Sequence, residues 1–149
     1  MKKALAPLFE DDDGKFLFGS RIDIDLSTLH PEQVQIFKLW QVYLENVDPL
    51  LKITHSPTLQ TRIIDAATNL EAISPALEAL MFSIYCVSIL TLPEDDCVSF
   101  FGKDSKILLA GFQLGCQQAL LRSQVLRTSD LDCLTALFFY LVRLRSILF

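Results

Sequence analysis

Residues 31–47, PEQVQIFKLWQVYLENV, decide the fold class. Their polar side chains Gln35, Lys38, Gln41 and Glu45 recur at spacings of 3, 3 and 4, the period of an α-helix and not the two-residue alternation of a strand. Most of the remaining circumference is apolar, including Phe37, Leu39, Trp40, Tyr43 and Leu44. A helix with so narrow a polar stripe needs cover on at least two sides, so other helices must pack around it.

The punctuation outside this stretch repeats. Pro31, Pro57, Pro75 and Pro93 each sit at or near a predicted helix start, where the missing N–H has no intrahelical partner to lose. Ser56 and Ser74 precede two of them as candidate N-caps. Thr91 with Glu94 and Ser129 with Asp132 have the spacing of capping boxes, and Gly102 is a candidate helix stop. The spacing predicts six helices, at 31–47, 57–70, 75–90, 93–101, 104–122 and 129–147. The expected fold is therefore all-α, an irregular multi-helix bundle of about six helices. Residues 75–90 are polar mainly at Glu78, Ser83 and Ser88, and residues 136–142 are apolar all round, which predicts a central place for the last helix. Residues 1–29 read as an extended acidic lead-in that docks on the helical part, residues 30–149. Within it, Arg21 to Leu26 alternates weakly, as a short strand would.

Composition narrows the function classes. The chain has 149 residues, 51% apolar and 21% charged, which excludes an intrinsically disordered or repeat-linker protein. Its net charge is −5 and its pI near 4.9, opposite to the basic face that duplex recognition needs. The mean hydropathy of +0.37 is high for a self-contained domain. Residues 79–92 and 133–142 are the longest uncharged stretches and fall short of the roughly 17–25 residues that span a bilayer. The apolar run before Glu10 is too short for a signal peptide.

No catalytic, cofactor-binding or metal constellation stands out. Cys86, Cys97, Cys116 and Cys133 are separated by 11, 19 and 17 residues, without the C-x-x-C spacing of a zinc clamp, and read as free core thiols of a reducing compartment. The acidic run Glu10 to Asp13 reads as a solvated turn, and Asp95 with Asp96 as complements to a helix dipole. His30 and His55 lie at helix entries, where capping or local hydrogen bonding suits them better than catalysis. Gly111 and Gly115 form a G-x-x-x-G that lets a neighbouring helix approach. Arg122, Arg127, Arg143 and Arg145 make the C-terminal part locally positive, without the interleaved exposed aromatics of a nucleic-acid surface.

Residues 29–60, LHPEQVQIFKLWQVYLENVDPLLKITHSPTLQ, resemble the start of the fungal-specific transcription factor domain, the middle homology region of fungal binuclear zinc cluster transcription factors. The resemblance rests on Ile36, Phe37, Leu39, Trp40, Gln41, Tyr43 and Leu44, then Asn46, Val47, Pro49, Leu50 and Lys52, then His55, Pro57, Thr58 and Leu59. It continues through residues 74–85, 116–121, 128–130 and 134–138, covering about residues 12–142. It implies the N-terminal part of a larger helical regulatory domain, which in the family runs well beyond the length of this chain. The six cysteines that hold two zinc ions in the family's DNA-reading module have no counterpart in this sequence. The resemblance thus implies a nuclear, transcription-regulator-like protein associated with secondary-metabolite gene clusters. It would act on a protein partner or as a homodimer through the last helix, residues 129–149, with no direct nucleic-acid contact, no membrane, no cofactor and no enzymatic activity.

A second reading is a small helical biosynthetic accessory protein, either a cyclase or isomerase or a carrier of an apolar ligand. Trp40, Tyr43, Tyr85 and Tyr140 would line its pocket, with His55 or Asp48 as the acid/base group.

Overall fold

In a computed structural model of the chain, the described residues are 21–52, 54–123 and 130–148, with side chains described as far as Val142. The acidic run Glu10 to Asp13 and the expected Ser129 cap lie outside them. The fold is all-α, with six principal helices and no strand among the described residues. Helix α1 begins at Gln33–Val42, passes through a π-helical turn at Tyr43–Val47 and continues as Asp48–Leu51. The others are α2 (Ser56–Thr68), α3 (Pro75–Leu90), α4 (Glu94–Phe101), α5 (Ser105–Ser123) and α6 (Leu131–Leu148).

The limits follow local chemistry, with some reassigned caps. Ser74 caps α3 as expected, its hydroxyl accepting the Leu77 N–H at 3.3 Å. Ser56 instead falls inside α2, and His55 holds the cap position with Nδ1 2.7 Å from the Thr58 hydroxyl. Thr91 closes α3, donating to the Ser88 carbonyl at 2.7 Å. Glu94 reaches forward and accepts the N–H and hydroxyl of Ser105, at 2.8 and 2.6 Å, clamping α4 to α5. At the start of α6, Asp130 accepts the N–H groups of Asp132 and Cys133, at 2.8 and 3.3 Å. Short polar side chains near a helix start compete for the same orphan N–H groups, so spacing alone does not select the winner.

Helix α1 runs past its expected end at 47. Pro49 has no N–H for the carbonyl four residues back, and the π turn absorbs that defect, with Asp48 N–H bonding to Tyr43 O. The helix stops at Lys52, which adopts φ 49°, a left-handed conformation. Gly102 ends α4 at φ 71°. Because an added Cβ there meets nothing within 4 Å, Gly102→Ala should cost only the left-handed backbone penalty. A loss of about 1–2 kcal/mol in urea unfolding is expected.

The central helix is α3, not the last one. It is buried continuously from Glu78 to Ile89 and packs most extensively on α5 and α6, then on α1. Its polar side chains are all partnered. Ser83 donates to Leu80 O at 2.7 Å, and Ser88 donates across to Leu39 O of α1 at 3.2 Å. Glu78 meets His30.

Residues 21–25 lie extended and lead into a 3₁₀ turn at Leu26–Thr28 instead of pairing as a strand. The Ile22 N–H donates to Gln118 Oε1 at 2.9 Å, and the Arg122 guanidinium donates to the Ile24 carbonyl. Asp25 accepts the N–H and hydroxyl of Ser27, at 3.0 and 2.8 Å, and these bonds hold its carboxyl below the usual carboxylate range.

Candidate interaction surface

Helix α6 has two unlike sides. Cys133, Ala136, Phe139 and Tyr140 are buried, with Phe139 edge-on to Tyr43 of α1 at 5.9 Å and the Tyr140 hydroxyl accepting from Gln117 Nε2 of α5 at 3.1 Å. The opposite side carries Leu131, Leu134, Phe138 and Leu141, exposed by 74, 44, 44 and 45%. Their spacings of 3, 4 and 3 place all four on one stripe. The all-apolar segment 136–142 is therefore half core and half surface, which corrects the central position expected for it. One contiguous row of large apolar side chains on a helix is the kind of feature that marks an association surface.

The start of this helix is fixed. Asp132 takes a two-pronged ion pair from Arg62 of α2, with Nη1 3.0 Å from Oδ1 and Nη2 bonded to Oδ2. Bonding to Asp132 raises the Arg62 pKa further and keeps it charged. With Asp130 capping the first turn, the apolar row is presented on an anchored helix.

The remaining polar residues of interest are distributed through the structure. His30 is buried between Glu78 and Tyr85, its Nε2 3.0 Å from Glu78 Oε2 and its Nδ1 3.0 Å from Tyr85 Oη. It stacks on Phe82 with ring centroids 4.2 Å apart. It therefore hydrogen-bonds to α3 and leaves the start of α1 to Glu32, whose N–H donates to Gln35 Oε1 at 3.3 Å. Burial pushes the Tyr85 phenol well above its ordinary range.

The residues of the accessory-protein reading do not converge. Trp40 and Tyr43 stack at 5.2 Å, Trp40 donating to Gln60 Oε1 at 3.0 Å and Tyr43 meeting the Thr54 hydroxyl at 2.7 Å. Asp48 accepts from that same threonine at 3.4 Å, and burial raises the Tyr43 pKa. His55 is exposed beside Thr58, Tyr85 lies with His30, and Tyr140 with Gln117. Open grooves run along Arg21 to Asp25 beside Arg122 and between α2 and α3 from Arg62 to Leu77. Neither is lined by Trp40, Tyr43, Tyr85 or Tyr140.

All four cysteines are buried and none is in a disulfide. Burial raises the thiol pKa of Cys97 and Cys133, which disfavours the reactive thiolate. Among the described residues, no group of three or more His, Cys, Asp or Glu side chains is placed to hold a metal ion. No helix among them is long and apolar enough to cross a membrane.

Comparison with known proteins gives this architecture its context. Transcriptional regulator AacuB of Aspergillus aculeatus is 59% identical over 130 residues, covering 87% of this chain and 18% of its own length. Transcriptional regulator nsrM of Aspergillus novofumigatus is 50% identical over 127 residues, covering 85% of this chain and 18% of its own. The aurofusarin cluster transcription factor aurR2 of Gibberella zeae is 37% identical over 131 residues, 88% of this chain and 20% of its own. The chain thus spans about a fifth of the length of these curated relatives. No family model matches it, and no solved structure does. Identity of this degree along most of the sequence makes the chain a homologue of one region of the fungal cluster transcription factors.

Proposed function

We propose that the chain acts in transcription regulation by associating with protein, and not by reading DNA or by catalysis. Its homology with cluster regulators over 85–88% of its length carries the reading. The apolar row on α6 supplies a contact surface, and a net charge of −5 disfavours a phosphate backbone as the partner. On this reading residues 1–29 are a lead-in and residues 30–149 correspond to part of a regulatory domain. The chain works in the nucleus, modulates a longer regulator of a secondary-metabolite cluster, and uses no metal, cofactor or substrate site.

Deletion of the coding region is expected to change transcript levels of the associated cluster, read by quantitative RNA measurement. Restoring the chain should reverse the change, and the purified chain should give no sequence-specific mobility shift. Unchanged transcripts with an accumulating biosynthetic intermediate would overturn the proposal in favour of an accessory enzyme or carrier. A specific shift by the chain alone would overturn its exclusion of DNA.

A further inference from the structure

We propose that Ser74 is a phosphorylation site for a proline-directed protein kinase, and that its phosphate loosens the Arg62–Asp132 anchor of α6. The inference concerns covalent control of this chain and is independent of the association reading, so either can fail without the other.

The chain holds two Ser-Pro dipeptides, Ser56-Pro57 and Ser74-Pro75. Proline directly after the hydroxyl presents no N–H and disfavours the helical region for the residue before it, which are the features such a kinase reads. The structure separates the two sites. Ser74 is exposed, and the backbone is extended through Ile73 (φ −72°, ψ 137°) and Ser74 (φ −65°, ψ 147°), the shape in which a kinase cleft holds its acceptor. Ser56 already belongs to α2 and is half-buried. Ser74 is tied to α3 by two bonds, its hydroxyl accepting the Leu77 N–H at 3.3 Å and its carbonyl accepting the Glu78 N–H at 2.9 Å. The first is longer than usual, and helix ends are where local opening is easiest.

In the transfer, the Ser74 hydroxyl oxygen bonds to the γ-phosphorus of ATP as the bond to the ADP oxygen breaks. The hydroxyl proton passes to the catalytic base of the kinase, and the chain gains a phosphate ester of about −1.5 to −2 charge at neutral pH.

The surroundings of that phosphate give it a consequence. Ser74 and Arg62 line the same groove between α2 and α3, about 370 Å³ in volume, and Asp65 lines it with them. The Arg62 side chain is 41% exposed and gives both prongs of its guanidinium to Asp132 at the start of α6. A phosphate ester attracts a guanidinium more strongly than one carboxylate does, and it repels Asp65, so Arg62 is the group that turns towards it. The start of α3 favours the added negative charge, so α3 is kept while the start of α6 loses its partner.

The test incubates the full chain with a proline-directed kinase and MgATP, beside synthetic peptides of residues 50–62 and 68–80, and reads intact mass and fragment maps. Both peptides should accept phosphate, whereas the folded chain should take one phosphate, at Ser74. Ser74→Ala should abolish it and Ser56→Ala should leave it. Hydrogen exchange then reads the consequence. Amides in the first turns of α6 should exchange roughly fivefold faster in the phosphorylated chain, with the centre of α3 unchanged. In Arg62→Ala, phosphorylation should leave exchange in α6 as it was.

A 68–80 peptide that accepts phosphate beside a chain that does not would overturn the site, as would phosphate at Ser56 in the folded chain. Phosphate at Ser74 with unaltered α6 exchange, or an equal rise in Arg62→Ala, would overturn the release of the anchor.

Discussion

His30→Ala is expected to destabilise the fold by about 3–5 kcal/mol, from stranding two buried polar groups and removing a packed ring. The His30 side chain has no solvent exposure and that of Glu78 only 10%, so water does not readily replace the imidazole. His30 Nε2 lies 3.0 Å from Glu78 Oε2 and Nδ1 lies 3.0 Å from the Tyr85 hydroxyl, so each ring nitrogen has a buried partner on α3. The ring thus satisfies two groups of α3 at once, and truncation strands both. It also removes the surface on which Phe82 stacks at 4.2 Å. In thermal unfolding the loss corresponds to roughly 6–20 °C for a chain of this size. Tyr85→Phe should cost only about 0.5–1.5 kcal/mol, because it removes one neutral hydrogen bond and keeps the ring. Adding Glu78→Leu to His30→Ala should recover part of the stability, since the stranded carboxylate is then gone. If the single and double variants unfold at the same urea midpoint, the burial of an unpaired carboxylate is not the source of the loss.

This cluster also marks the limit of what sequence reading reaches. Helix positions were legible because their signals are local. The expected 75–90 coincides with Pro75–Leu90, and 93–101 and 104–122 lie close to Glu94–Phe101 and Ser105–Ser123. Proline, serine and glycine act on the backbone within a turn of where they stand, so they can be read in place. His30 has no such local signal. Its partners Glu78 and Tyr85 lie 48 and 55 residues along the chain, and its place at a helix entry suggested a cap that Glu32 and Gln35 make instead.

The choice of central helix failed for a related reason. Residues 75–90 and 136–142 are both apolar nearly all round, so periodicity cannot rank them. What separates them is how many neighbours the fold brings to each: α3 is covered by α5, α6 and α1, whereas α6 buries Cys133, Ala136, Phe139 and Tyr140 and leaves Leu131, Leu134, Phe138 and Leu141 exposed. The high mean hydropathy of +0.37 is explained accordingly, because part of the apolar complement is surface rather than denser core.

The G-x-x-x-G of α5 gives a prediction whose sign differs between its two glycines. A Cβ on Gly115 would stand 2.5 Å from Phe82 Cε1 and 2.7 Å from Cδ1 and Cζ, closer than real Cβ atoms come to any neighbour. Phe82 cannot readily yield. It is fully buried, stacked on His30, and edge-on to Tyr85, which in turn lies 5.1 Å from Phe112. Gly115→Ala therefore drives a ring into the polar cluster, with an overpacking cost of about 1–3 kcal/mol. The better helix propensity of alanine offsets only about 0.8–1 kcal/mol of it. Displacement of the ring also disturbs His30 against Glu78 and Tyr85, which places the net loss towards the upper end. At Gly111 an added Cβ meets nothing within 4 Å, so Gly111→Ala should stabilise by about 0.5–1 kcal/mol. Urea midpoints of the two variants should thus move in opposite directions. Phe82→Leu combined with Gly115→Ala should cost less than the sum of the two alone, because two of the three clashing atoms, Cε1 and Cζ, are absent from leucine. Equal shifts at positions 111 and 115, or strict additivity with Phe82→Leu, would show that α3 and α5 do not meet ring against glycine.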